Sequence, residues 1–246
     1  MSFYFAEIKN IAEESIRLEG AEQRYLAKVM RAKKGERVSV TDGAGMVYDC
    51  IISKKGRDYS ELQIITRRRN VGEPERTVTL ALGLSASSKF ESILSVCAEI
   101  GVSGFAPLLS EESKIKIDDK ARVERKLRRW REVLKLALKQ SMRSRLPEIS
   151  TPQDFDGYVR QLQDSPIERI IAHPGVTNSA SVDAAGALSK RLEPLIILVG
   201  PESGFSTDEF ELAVSAGFLP LSLGERILGA ESAASALASL ALLGRV

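Results

Sequence analysis

Two strand-to-loop junctions near the carboxyl end restrict the folds open to this chain. Leu195-Ile-Ile-Leu-Val199 is an unbroken apolar run that stops at Gly200-Pro201. Apolar residues without alternation mark a strand buried on both faces, as in a parallel sheet, and Gly-Pro marks its exit into a loop. Ser206-Thr-Asp-Glu209 follows with capping-box spacing and starts a helix. Phe210, Ala213 and Val214 give that helix an apolar face, and Gly217 closes it. A second strand, residues 218–223, runs into Gly224, and a third, residues 167–172, into His173. Open α/β sheets bind ligands at the carboxyl ends of their strands.

The rest of the chain is consistent with such a sheet. From residue 73 onward, strands expected at 78–82, 105–109, 167–172, 195–199 and 218–223 alternate with helices, the pattern of a mostly parallel α/β sheet. Phe90, Ile93, Leu94 and Cys97 follow helical spacing, with Ser88 and Glu91 as a capping box and Gly101 as the stop. A long helix is expected over 118–143, with Val123, Leu127, Trp130, Leu134, Ala137 and Ser141 on one face. The last helix, 231–243, is almost wholly Ala, Ser and Leu, which requires burial against partners. Residues 1–72 read differently. Strands at 36–40 and 46–52 flank the turn Thr41-Asp-Gly-Ala-Gly45, a further strand covers 61–66, and a helix at 22–31 carries Tyr25, Leu26 and Val29. A small β-barrel with one helix is the expected assembly. Asn70-Val-Gly-Glu-Pro-Glu75 is the linker, giving domains 1–72 and 73–246.

Charge is unevenly spread. Residues 120–145 hold eleven Lys or Arg against two Glu, and residues 1–72 hold fourteen basic against ten acidic residues, although the whole chain carries only +2. Such concentration reads either as a solvated helix face or as the footprint of a polyanionic partner. No apolar run reaches the ~18 residues of a membrane span. Cys50 and Cys97 are far apart and lack metal-ligand spacing, so no metal site is expected, and a reducing cytoplasm fits. No P-loop is present, and no G-x-G-x-x-G follows an expected strand, which argues against an NTPase or a dinucleotide enzyme.

Three segments together resemble the RsmE family of the SPOUT class of RNA methyltransferases. They are Gly200-Pro-Glu-Ser-Gly-Phe-Ser206 with Glu209, Leu223-Gly-Glu-Arg-Ile-Leu228 with Glu231, and Ala137-Leu-Lys-Gln140-Ser-Met-Arg143 before Pro147. Lys89 with Ala98-Glu-Ile-Gly-Val102, and Val29-Met-Arg31 with Gly35-Glu36, match more weakly. The chain departs from the family's usual glycine at Ser203, and from its arginine and threonine at Gly229 and Ala230. The resemblance implies a SPOUT-type mostly parallel sheet with a C-terminal trefoil knot, a small N-terminal PUA-like β-barrel that binds RNA, and a homodimer. It implies methylation of N3 of a uridine in 16S ribosomal RNA of the small subunit, with S-adenosylmethionine as donor. A SPOUT enzyme acting on another RNA such as tRNA, or a non-catalytic RNA-binding member of the fold, stays open as an alternative.

On that reading the cofactor is held by His173, Leu198, Val199, Gly200, Pro201, Glu202, Gly204, Leu221, Leu223, Gly224, Ile227 and Leu228. The glycines admit close backbone approach, and the aliphatic groups supply walls. Arg226 and Arg143 are the candidates for stabilising the uracil anion, with Glu231 orienting one of them. The bland alternatives are a surface-loop arginine, a cation at a helix end, and an acid at a helix start. RNA contacts are expected at Arg31, Arg125, Arg128, Arg129, Arg131, Gln140 and Arg143.

Overall fold

The computed structural model describes residues 2–113, 119–174, 188 and 192–243. Asp118, where the long helix is expected to begin, lies outside them, as do residues 244–246. The chain divides into two compact units: Met1–Glu73 with Lys135–Leu146, and Pro74–Leu134 with Pro147–Val246.

The first unit contains β1 (Tyr4–Phe5), β2 (Ser15–Glu19), α1 (Gly20–Arg24), β3 (Arg37–Thr41), β4 (Met46–Lys55) and β5 (Tyr59–Arg69). The expected helix over 22–31 is shorter as an α-helix and continues as a π-type turn over Tyr25–Val29. The sheet order is β1-β3-β4-β5-β2. All pairings are antiparallel except β1 with β3. In this ladder order β1 and β2 are the end strands. Ile16, Leu18, Leu26, Val40, Ile52 and Leu62 fill its core. Residues 135–146 join this unit because their polar groups are used there. The Phe3 N–H donates to the Lys139 carbonyl at 3.0 Å, and the Lys139 ammonium meets Glu22 at 2.6 Å. Glu73 accepts from the Arg143 guanidinium at 2.7 Å, the Ser144 N–H at 2.8 Å and the Arg145 N–H at 2.7 Å. None of these links is visible in local sequence patterns.

The second unit contains β6 (Val78–Gly83), α2 (Ser87–Ile100), β7 (Gly104–Leu109), α3 (Lys120–Gln140, its last turns in the first unit), β8 (Glu148–Ile149) and β9 (Gln153–Asp154). It continues with α4 (Phe155–Gln161), β10 (Glu168–Ala172), β11 (Leu195–Val199), α5 (Thr207–Ser215), β12 (Leu219–Leu221) and α6 (Ala230–Leu242). The sheet runs β12-β10-β11-β6-β7-β8, with β9 also on β7, and every pairing is parallel. The three strands that end in the candidate loops are therefore neighbours.

Local chemistry explains most boundaries. Ser206 and Glu209 form the expected capping box of α5. Gly217, at φ +87°, follows its end. The box expected at Ser88 and Glu91 is absent. Ala86 is the residue before α2 and gives no side-chain cap, while Glu91 pairs with Arg129. Phe90 packs on Trp130 with ring centroids 4.8 Å apart. Ala233, Ala234, Leu237, Ala238 and Ala241 form the buried stripe of α6. Small residues there allow the helix close to α2, β6 and β11. No described helix is long and apolar enough to cross a membrane.

Candidate active site at the strand ends

Strand pleating decides which residues of β11 face the site, because successive side chains point to opposite faces. Leu198, expected from sequence as a cofactor wall, is 0% exposed, packs in the core with Ala81, Ala106 and Ile171, and is not among the residues lining the cleft. Its neighbour Val199 lines a cleft of about 340 Å³ at the strand ends. That is within the ~300–1,000 Å³ usual for small-molecule sites.

Three loops build the cleft. After β10, the His173 N–H donates to the Leu221 carbonyl at 3.0 Å, which joins that strand end to β12. The His173 ring lies 4.2 Å from that of Phe210. After β11, the Gly204 N–H closes a tight turn on the Pro201 carbonyl at 3.0 Å. Gly204 holds φ +83°, in the left-handed region that glycine adopts without strain. A Cβ on Gly200 would stand 3.0 Å from the Gly204 carbonyl carbon, so backbone alone fits there. After β12, the Ser222 hydroxyl donates to the Gly224 carbonyl at 3.0 Å. Gly224 shapes this turn at φ +102° and does not itself line the cleft, contrary to expectation.

His173, Pro201, Glu202, Leu221, Leu223, Arg226, Ile227 and Leu228 join Val199, Gly200 and Gly204 around the cleft. Ile227 is 85% exposed, so it forms the rim and not an inner wall. Ser203 and Ser222, inside the loops expected from sequence, line the cleft too, and sequence reasoning missed Ala172, Pro174, Phe205, Ala230 and Ala233. Ala233 was legible in principle, as one position of the small-residue stripe.

Gly83 was missed as well. It ends β6, and an ideal Cβ there would lie 2.3 Å from Pro201 Cδ. Only glycine lets the β11 loop lie across this strand end. Lys89, in the first turn of α2, meets Glu202 at 2.7 Å.

Two expected catalytic groups are engaged elsewhere. Glu231 accepts a hydrogen bond from the Ser92 hydroxyl at 2.7 Å, which ties α6 to α2. Arg143 belongs to the first unit, its side chain 3% exposed and its guanidinium on Glu73. Arg125, Arg128 and Arg131 are exposed on α3, as are Arg31 and Gln140 in the first unit. Arg129 is also exposed but engages the Glu91 carboxylate.

A parallel sheet with a glycine-built cleft at its strand ends is the arrangement of a small-molecule site in an open α/β fold. Residues 72–242 match the family model for the RNA methyltransferase domain, and residues 18–65 match that for the RNA methyltransferase PUA domain. A ribosomal RNA small subunit methyltransferase E from Synechocystis sp. is 32% identical over 225 residues, covering 92% of this chain and 72% of the relative. The chain belongs to the family of ribosomal RNA small subunit methyltransferases E. Its fold is shared by the Neisseria gonorrhoeae member solved with S-adenosyl methionine, at TM-score 0.85 and 23% identity over 97% of this chain and 95% of the other. A candidate methyltransferase from Legionella pneumophila, solved with the cofactor SAM, gives TM-score 0.83 and 26% identity over 96% and 95% of the two chains.

Proposed function

We propose that this protein transfers a methyl group from S-adenosylmethionine to N3 of a uridine in 16S ribosomal RNA, acting in the cytoplasm on the small subunit. The observation that carries this reading is the cleft, where the loops after β10, β11 and β12 converge and glycines leave backbone groups bare.

The residues present fit the cofactor. Gly200 and Gly204 line the cleft, and a Cβ at position 200 would press on the backbone of Gly204 and Phe205 and disturb the turn that shapes it. Val199, Leu221, Leu223 and Leu228 give apolar surface, and His173, Pro201, Glu202 and Ile227 complete the enclosure. When bound, S-adenosylmethionine supplies a methyl group on a sulfonium, ready for in-line attack. The chain's own residues do the rest. N3 of uridine is protonated and paired in a duplex, so the base must be exposed and its N3 proton removed before the nitrogen can bond to carbon. Arg226, exposed on the β12 loop beside the cleft, supplies positive charge as the uracil becomes anionic. Holding base and donor in line supplies the remaining advantage.

In this reading residues 1–72 form the RNA-binding module and residues 73–246 the methyltransferase domain. Arg125, Arg128 and Arg131 of α3 add phosphate contacts, with Arg31 and Gln140. The β12 loop and α6 form a C-terminal trefoil knot, and the chain is a homodimer. Support for the dimer comes from α6, where Ala236, Ser239, Leu240 and Leu243 remain partly or wholly exposed opposite the buried stripe. Light scattering should give twice 26.9 kDa, and a fully active monomer contradicts the dimer. The activity itself is tested with purified protein, small subunits lacking the modification and methyl-labelled S-adenosylmethionine. Label in 3-methyluridine of 16S ribosomal RNA supports the proposal; unlabelled small subunits beside labelled tRNA in a parallel reaction overturn the target.

A further inference from the structure

The loop after β11 is held from its far side by a residue that does not line the cleft. Glu209 is 6% exposed, and its two carboxylate oxygens have different duties. Oε2 accepts the Ser206 N–H at 2.9 Å, the return half of the capping box. Oε1 accepts the Glu111 N–H at 2.8 Å, from the segment that follows β7. Next to this contact, the Ser203 hydroxyl donates to the Glu112 carbonyl at 3.3 Å.

Strand β7 is not adjacent to β11, because β6 lies between them. The β11 loop therefore reaches across the end of β6, where Gly83 leaves room for Pro201. On the far side it is fastened twice, at Glu111 and at Glu112. A buried carboxylate accepting two backbone N–H groups makes strong, charge-assisted bonds. Ser203 adds a second fastening by side chain.

We infer that Glu209 is a positioning residue for the cofactor loop, clamping Gly200–Gly204 onto the segment after β7, with Ser203 as a secondary clasp. The inference rests on the cofactor reading of the cleft. The clamp fixes the bare backbone of the cradle before the cofactor arrives, so its loss appears in cofactor affinity first.

The test compares Glu209→Gln, Ser203→Ala and Ser206→Ala by calorimetric titration with S-adenosylmethionine, alongside thermal unfolding and amide hydrogen exchange. Glu209→Gln should weaken binding about tenfold, because an amide cannot present two equivalent charged acceptors. Exchange should accelerate at Glu111 and Ser206. Ser203→Ala, which removes an exposed hydroxyl at a position that also lines the cleft, should weaken binding about two- to threefold; with faster exchange in the segment after β7 as its second readout, it keeps the inference testable if Glu209→Gln folds poorly. Ser206→Ala removes the hydroxyl that caps the Glu209 N–H at 3.2 Å but leaves the carboxylate. It should lower the unfolding temperature while affinity stays within about twofold.

Wild-type affinity in both Glu209→Gln and Ser203→Ala overturns the inference. So does an equal affinity loss in Glu209→Gln and Ser206→Ala, which would make the effect one of helix stability. Failure of the wild-type protein to bind S-adenosylmethionine overturns the cofactor reading itself.

Discussion

A single methyl group at Gly83 should separate cofactor binding from folding. The position is free of left-handed backbone, so alanine meets no conformational penalty of its own. Its Cβ, however, would stand 2.3 Å from Pro201 Cδ, 2.6 Å from Pro201 N and 3.1 Å from the Gly200 carbonyl carbon. Comfortable carbon contacts lie at about 3.5–4.0 Å, so something must retreat by about 1 Å or more. Pro201 cannot swing a side chain away, because Cδ is bonded to its own backbone nitrogen. The loop backbone must move with it. Overpacking costs about 1–3 kcal/mol, and a domain of this size loses about 2–4 °C per kcal/mol. The chain should therefore stay folded. Misplacing binding groups by about 1 Å costs up to about a hundredfold. Gly83→Ala should bind S-adenosylmethionine about 10- to 100-fold more weakly in calorimetry, with an unchanged far-ultraviolet spectrum and a modest fall in Tm. Wild-type affinity in this variant would refute the strand-end packing argument.

Neutralising Arg125, Arg128 and Arg131 together should weaken RNA binding and flatten its logarithmic salt dependence by about 2–3. Arg129→Gln alone should change that slope little, because Glu91 already holds this cation; filter binding across a salt series measures both. Arg143→Ala should cost about 3 kcal/mol in urea unfolding, because it takes the cation from the buried Glu73 carboxylate and leaves it only the Ser144 and Arg145 donors. Stability should also fall steeply in alkali. Burial pushes the Cys50 and Cys97 thiols from 9.0 up to about 12 and the Tyr158 hydroxyl from 10.0 up to about 12. The unfolded chain releases these protons first, so it binds fewer protons between about pH 9 and 12 and stability declines with rising pH. Denaturant midpoints that stay level from pH 8 to 11 would contradict that.

The site was legible in the sequence where local chemistry governs it. Buried apolar runs, the Ser206–Glu209 capping box and the glycines at 200, 204 and 224 declare strand ends and turns without knowledge of the fold. The differences arise where structure is non-local. Leu198 was included with Val199 because an unbroken apolar run hides which pleat faces the cleft. Gly83 was invisible because its constraint comes from Pro201, which the chain supplies much later. Glu231 and Arg143 carry charges in suggestive segments, but Ser92 and Glu73, distant in sequence, claim them. Likewise Glu91 looked like a cap for its own helix and instead serves Arg129. The assignment of residues 135–146 to the first unit depends on contacts with Phe3, Glu22 and Glu73, which helical periodicity does not encode.

The central claim is tested most directly by nucleoside mass spectrometry of 16S ribosomal RNA from cells lacking this protein, alongside cells that regain it as wild type or as Arg226→Ala. The account predicts that 3-methyluridine disappears on deletion, returns with the wild-type chain, and stays low with Arg226→Ala expressed at equal level. Undiminished 3-methyluridine in the deletion strain would contradict it.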